Sequence, residues 1–527
     1  MNGKVKNSFF NIIDFLFLVS VICTVFSSIP KSKVPKIILP FISYDNLLSL
    51  YPITLVVIIG LAFLFCERNY KTIAFIAISC MIYVLCNAII TTHGLLLIIE
   101  KITESDIEIV ISQSRRIFYS FVTKLFPNYI WNKRLLLSEL LYSLYEGIIN
   151  YIDIILIPII LYKLYKDRCS RLMRLFLIGM IFSIIIVIIY EVIEIPSILG
   201  SVNAGKILSK VNPLLYEINN THGWWPPLLW YGQLRGPFAE PSFFSYYLGF
   251  AVSVLIFYVV KKGNLISQIT LLFICICGFL TNARSGILLL LGVFFINILL
   301  LVINQKNIKK IIILCIILIL SYIISISVGK FVVNEHNQTS VNGDNYIVNT
   351  IKSVSNPTAR SNVSRYSYIN STINIWRDNL ILGTGRDYLG AYLSEEMMEM
   401  ENISSEMETW IETQDSIGPL NNTFPNLNEY TTALASGGIV GFLLSTVLLF
   451  YICICYLIFV IKRGIKVLDI NSILIVSMLA VVFAWGINNY FMANYLYLIS
   501  LSLGLCDLNI IKKSYNNDSR NIISEIK

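Results

Sequence analysis

Charge is scarce in this chain of 527 residues: Asp, Glu, Lys and Arg together make up 14% of it, and histidine occurs only three times. So few charges cannot cover a soluble protein of this length, and 56% of the residues are hydrophobic, with a mean hydropathy of +0.72. None of the eleven cysteines falls in the long polar stretches between apolar runs, which argues against a structural disulfide and against a metal site. The chain has no cofactor motif. It also lacks a second copy of any motif, which weighs against a transporter built from repeats around a midplane site. No Ala-x-Ala-like cleavage site follows the first apolar stretch, so that stretch reads as a retained helix and not a secretory signal. The net charge of +8 comes mostly from lysines in short loops, where they meet anionic lipid; nucleic acid is not indicated as a partner.

What the chain does have is apolar runs of the length that a hydrocarbon core of about 30 Å demands, about 20 helical residues each. Twelve lie near 8–28, 47–66, 72–92, 147–165, 173–193, 239–260, 265–281, 285–303, 311–329, 434–460, 472–488 and 490–506. Backbone in lipid must satisfy its own hydrogen bonds, so uninterrupted runs of this length predict an all-α polytopic membrane protein. Basic loops recur on alternate sides, among them Lys166–Arg174, Lys261–Lys262, Lys306–Lys310 and Lys462–Lys466. The positive-inside rule puts these, and both termini, in the cytoplasm. The other side then holds loops 29–46, 93–146, 194–238, 282–284 and 330–433, with a tight turn at Asn489. Three parts result: 1–329 with nine spans, a large external loop 330–433, and 434–527 with three spans and a cytoplasmic tail. Lys31, Lys33, Lys36, Arg115, Arg116, Lys133 and Arg134 fall on the external side against the rule, so the topology of 29–146 is the least constrained.

Two external turns carry charge beside apolar helices, a costly placement that usually serves substrate handling. The first is Arg235-Gly-Pro-Phe-Ala-Glu-Pro-Ser-Phe-Phe-Ser245. The planar guanidinium of Arg235 suits a phosphate. Glu240 either favours the start of the next helix through the dipole or acts as a general base with a pKa raised by apolar surroundings. The second is Thr281-Asn-Ala-Arg-Ser-Gly286, where Arg284 either binds carbonyls at a helix end or joins Arg235 in holding an anion such as a lipid-linked pyrophosphate. Upstream, His222-Gly-Trp-Trp-Pro-Pro-Leu-Leu-Trp-Tyr231 places His222, Trp224, Trp225 and Tyr231 as an interfacial aromatic belt or as a platform for sugar rings.

In the large loop, residues 334–362 are rich in Asn, Ser and Val and read as irregular. Residues 365–382 set Tyr368, Ile369, Ile373, Trp376 and Leu380 at helical spacing, ended by Gly383-Thr-Gly385. Residues 395–415 hold eight acids and no base, with Met397, Met400, Ile403, Met407, Trp410 and Ile411 at spacings of three and four, which predicts one acidic amphipathic helix. His93 and His336 sit in expected loops without a partner motif. Asp14, Asp153 and Glu191, in or near spans and without evident partners, are what a proton-coupled transporter or flippase would use.

Taken in order, four blocks resemble the O-antigen polymerases and related exopolysaccharide polymerases of bacteria. They are Arg235-Gly-Pro-Phe-Ala-Glu-Pro-Ser-Phe243; Asn282-Ala-Arg-Ser-Gly-Ile-Leu288; the stretch from Arg365 through Trp376-Arg377 to Gly383-Thr-Gly385; and Asn426-Leu-Asn-Glu-Tyr-Thr-Thr-Ala-Leu-Ala-Ser-Gly-Gly-Ile-Val-Gly441. The resemblance implies a metal-independent glycosyltransferase similar to the GT-C type, without a cofactor, in the inner membrane and with its site facing the periplasm. Donor and acceptor would both be oligosaccharides on undecaprenyl pyrophosphate, and a chain-length-determining co-polymerase is a further candidate partner. Arg235, Arg284 and Arg365 match the family's loop arginines and would stabilise the leaving pyrophosphate. Arg377, Asn428 and Glu429 fall in the last two blocks and are expected to bind substrate, beside the aromatic segment. Related ligases and many polymerases carry a His near the start of the last block, where Leu427 stands here. Glu240 is therefore the first choice of base and Glu429 the second. That departure favours polymerase over ligase.

Overall fold

Long apolar runs leave the backbone no partner but itself, and the chain accordingly folds into helices, with no strand among the described residues. The computed structural model describes residues 3–29, 47–102, 113–216, 233–304, 308–336, 360–400, 403–464, 468–487 and 495–525. In chain order the helices are α1 (Gly3–Cys23), α2 (Leu47–Cys66), α3 (Tyr70–Ile98), α4 (Gln113–Leu125), α5 (Trp131–Tyr151) and α6 (Ile157–Tyr165). There follow α7 (Cys169–Ile198), α8 (Val202–Leu215), α9 (Pro241–Lys262), α10 (Leu265–Leu280), α11 (Arg284–Ile303) and α12 (Ile308–His336). The large loop supplies α13 (Arg360–Asp378), α14 (Leu389–Met398) and α15 (Ser405–Ile417), and the chain closes with α16 (Glu429–Arg463), α17 (Ile470–Gly486) and α18 (Leu496–Glu525).

Eight of these segments are long and apolar enough to cross a membrane, and Tyr51–Cys66, Leu265–Leu280 and Ile470–Gly486 are shorter apolar helices. Every predicted apolar run overlaps a helix. Polar residues mark the ends: Asn69, Asn264 and Asp469 accept backbone N–H bonds at the starts of α3, α10 and α17, and Gly263 ends α9 at φ 65°.

Helix α9 is the hub. It packs against α10, α11 and α17, and Gly249 lets the last two approach so closely that a Cβ there would lie 2.9 Å from Leu289 and 3.1 Å from Val481. By contrast α3 and α12 bare Ile78, Met81, Ile82, Ile89, Ile316, Ile319 and Ile323, the apolar surface a bilayer would cover.

The structure corrects several expectations drawn from the sequence. The run placed at 147–165 is the second half of a longer helical stretch, α5 joined to α6 by the π-helical turn Ile152–Leu156, and loop 93–146 contains α4. Loop 194–238 contains α8. His93 lies inside α3, not in a loop. The acidic stretch 395–415 is not one helix: Ser404 accepts the Met407 N–H and starts α15 afresh, with Glu406 and Glu408 favourably placed in its first turn. Helix α15 folds back on α14, where Ser394 donates to Asp415 at 3.1 Å. Asp14 does have partners: it accepts from the Tyr165 hydroxyl and from Arg171 Nε at 2.6 Å.

The short basic loops contact neighbouring segments at one end of the bundle: Lys513 meets Asp167 at 2.8 Å, Asn509 donates to the Lys166 carbonyl at 2.9 Å, and Lys310 donates to the Val260 carbonyl. The opposite end carries α13–α15. It is fastened by a break in α16, where Gly438 takes φ 60° and ψ −159°. The backbone groups freed by that break are met by the segment that follows α13. Ile439 and Val440 N–H donate to the Leu380 and Ile381 carbonyls, while Thr384 and Gly385 N–H donate to those of Ala435 and Ser436, all within 3.2 Å. A Cβ on Gly438 would lie 2.2 Å from the Ile381 backbone, so this contact requires glycine.

Candidate functional site

At the loop-bearing end, the turn between α10 and α11 is held to α9 through Thr281, whose hydroxyl accepts from Ser245 Oγ at 3.1 Å. Arg284 rises from this turn and donates to Asn362 Oδ1 at 3.1 Å, in the first turn of α13. One turn further along α13, Arg365 faces Glu240 closely enough for its charge to act on that carboxyl. Glu240 immediately precedes α9. Its side chain caps no N–H there and instead accepts from Ser242 Oγ at 2.9 Å. Burial pushes the Glu240 pKa up, with the Ser242 hydrogen bond and the Arg365 charge opposing part of that rise. Helix α13 thus joins two distant segments at its start, Asn362 holding Arg284 and Arg365 acting on Glu240.

Arg235 occupies a different setting. It is buried over the Tyr216 ring at 4.9 Å, with Nε 3.9 Å from Glu194 Oε1. The Glu194 carboxylate also accepts the Gly236 N–H at 2.8 Å and lies 3.4 Å from that of Arg235. Tyr216 completes the arrangement by donating to the Gly236 carbonyl at 2.5 Å. Glu194 thereby shapes the Arg-Gly-Pro turn. Arg377, twelve residues beyond Arg365 on the same helix, is exposed and makes a 3.5 Å contact with Asn374. His222, Trp224, Trp225 and Tyr231 lie outside the described residues.

A cavity of about 90 Å³ opens between α3, α5 and α16. It is lined by Glu146 and Asn150 from α5, Asn87 from α3, Arg386 and Asp387 from the turn after Gly385, and Glu429 from the start of α16. Asn428 accepts the Tyr430 and Thr431 N–H groups at 3.1 Å and so starts α16. Asn426 holds Glu429 at 2.6 Å. The cavity is joined to the arginine cluster through α13, since Tyr368 shares a 2.9 Å hydroxyl bond with cavity-lining Thr432.

The turn roofing the cavity is fixed by Arg115 of α4. Its Nη2 lies 2.7 Å from Glu139 and 2.9 Å from Asp387, and its Nη1 donates to the Leu420 carbonyl. Tyr388 donates to the same Glu139 at 2.9 Å. Burial alone would lower the Arg115 pKa, but Asp387 and Glu139 outweigh it and raise the value, so this buried cation stays charged. Sequence reasoning marked Arg115 only as a breach of the positive-inside pattern and passed over Glu139, Glu146, Glu194 and Asp387. Glu139 and Glu146 had a signal, as carboxylates interrupting a helix otherwise rich in Leu, Ile and Tyr. Among the described residues, no group of three or more His, Cys, Asp or Glu side chains is arranged to hold a metal ion.

Residues 269–446 match the family model described as O-Antigen ligase, a match consistent with the O-antigen polymerase/ligase superfamily. The matched segment includes Arg284, Arg365, Asn428 and Glu429, and it supports an O-antigen polymerase or ligase activity in general, on lipid-linked glycans in a membrane. No curated protein matches the chain.

Proposed function

We propose, taking this polymerase/ligase kinship as premise, that the chain polymerises lipid-pyrophosphate-linked repeat units at the periplasmic face of the bacterial inner membrane. In that reaction an acceptor sugar hydroxyl attacks the anomeric carbon of the growing chain. A new glycosidic C–O bond forms, the bond to pyrophosphate breaks, the hydroxyl proton passes to a base, and the carrier pyrophosphate leaves. Arg284 and Arg365 face the charge that develops on the leaving group, the kind of preorganised electrostatics that lowers such barriers most. Glu240 is the base, and its raised pKa brings its titration closer to neutral pH, where general bases work best. The observation that carries the reading is the first turns of α13, which bring Asn362 to Arg284 and Arg365 to Glu240. The site lies at the end of the bundle away from the basic loops, the end that the positive-inside rule assigns to the periplasm.

The description of the matched family favours a second reading, a ligase that moves glycan to lipid A core. One experiment separates the two. Purified protein is incubated with undecaprenyl-pyrophosphate-linked repeat units from its host, with and without lipid A core, in the presence of EDTA. A ladder of lengthening products on a gel, formed without core and lost in Arg365→Ala, supports the polymerase. Product only with core supports the ligase. Glycolipid movement across a vesicle membrane without any transfer would refute both and favour a flippase.

A further inference from the structure

The cavity between α3, α5 and α16 is not used by the chemistry assigned to the arginine cluster, yet the two are neighbours on one helix. Arg365 and Tyr368 are three residues apart on α13, about 4.5 Å along its axis and on adjoining positions of one face. The first reaches toward Glu240 and the second holds Thr432 at the cavity wall. A ligand with a pyrophosphate among the arginines would therefore carry its sugars toward this cavity.

The lining of the cavity says what kind of group it accepts. Three carboxylates, Glu146, Asp387 and Glu429, face one guanidinium, Arg386. Carboxyl groups offer more acceptor than donor sites whether ionised or not, so the lining is short of donors. Asn87 spends its amide on the Ser143 carbonyl at 2.9 Å, and Asn426 is committed to Glu429 and Thr432. Glu146 is drawn to Arg386 and Arg115 and repelled by Asp387 and Glu139. What is missing is a neutral, polyhydroxylated or amine-bearing group that brings donors and adds no negative charge.

We propose that this cavity is a sugar subsite that admits a hexose ring without a carboxylate or phosphate, its hydroxyls donating to Glu146 and Glu429, and that it rejects uronic acids. The subsite deepens the glycan-transfer reading and rests on it for the identity of the ligand. Asp387 is bound by Arg115 and sets the roof of the subsite, and Arg386 stands exposed at its mouth.

The test is binding without turnover. Saturation-transfer NMR on the purified full chain in detergent compares methyl glucoside with methyl glucuronide and methyl galactoside with methyl galacturonide. The subsite predicts that at least one neutral member binds, that its uronide partner binds at least about tenfold more weakly, and that Glu146→Gln or Glu429→Gln lowers neutral-sugar affinity by about tenfold. Glu146→Gln should also narrow the gap between the neutral sugar and the uronide, a change that a merely damaged fold would not produce. The proposal is overturned if no neutral glycoside binds, if uronides bind as well as their neutral partners, or if both variants leave the affinities unchanged. A chain that binds neutral glycosides in this pattern but builds no ladder would refute the polymerase reading and leave the subsite standing.

Discussion

The two polar regions at the loop-bearing end of the bundle have opposite signs. At the start of α13, two half-buried arginines are gathered, Arg365 near Glu240 and Arg284 on Asn362, whereas around Glu429 three carboxylates meet one guanidinium. A lipid-linked sugar has the same asymmetry, an anionic pyrophosphate joined to a neutral, hydroxyl-bearing chain. Under the proposed function, the charges beside these helices are sorted by the part of the substrate they would meet. Arg235 and Arg115 supply a second contrast, since both are buried and already engaged by Glu194 or by Glu139 and Asp387. Such ion pairs fix backbone, and removing one member strands the other.

The largest break in the comparison comes from Glu240→Gln, expected to lower kcat by about 10²–10⁴-fold if the carboxylate is the base. Because burial raises the folded pKa, the acid limb of the wild-type pH-rate profile should lie above the ordinary Glu range and vanish in the variant. The sign for stability is opposite to that of a paired carboxylate. Folding binds protons between the ordinary Glu pKa and the raised one, so stability is lost as pH rises through that window, and Glu240→Gln should unfold at higher temperature than wild type at neutral pH. Next in size is Arg115→Ala, which leaves Glu139 and Asp387 without their cation and should cost about 3–5 kcal/mol, read as a fall in Tm.

Arg284→Ala and Arg365→Ala should each reduce kcat by about 10²–10³-fold. Arg365→Ala should in addition move the acid limb to higher pH, since its charge holds the Glu240 pKa down. Gly438→Ala forces a residue with a Cβ into a positive-φ region that glycine alone adopts readily, at about 1–3 kcal/mol before the clash with Ile381 is counted, and should loosen α13 from α16 in hydrogen exchange. Smallest is Arg377→Ala, with a change in rate within about twofold, because its bond to Asn374 is long and exposed.

How far the sequence foretold this depends on the range over which each feature is decided. Apolar runs are local, and each coincided with a helix. The turn 281–284 and the helical pattern from Arg365 were equally local, and the structure has Arg284 on that turn, bonded to the start of α13. The same local view grouped Arg377 with Arg365 because both lie in one motif. A helix rises about 1.5 Å per residue, so twelve residues carry Arg377 about 18 Å away. The Arg115–Glu139–Asp387 cluster joins residues far apart in sequence, and no pattern of spacing could announce it. The break in the acidic stretch turned on Ser404, a single capping residue within a run whose periodicity otherwise continues. The cavity needs α3, α5 and α16 to be side by side, and packing alone decides that.

The most direct test of the two-station account is steady-state kinetics of repeat-unit transfer by Arg365→Ala and Glu146→Gln. The account predicts that Arg365→Ala lowers kcat with KM little changed, because its interaction strengthens as the pyrophosphate departs, whereas Glu146→Gln raises KM for the lipid-linked sugar with kcat little changed. If both variants alter the same parameter to the same extent, the two regions do not divide the substrate between them and the account is contradicted.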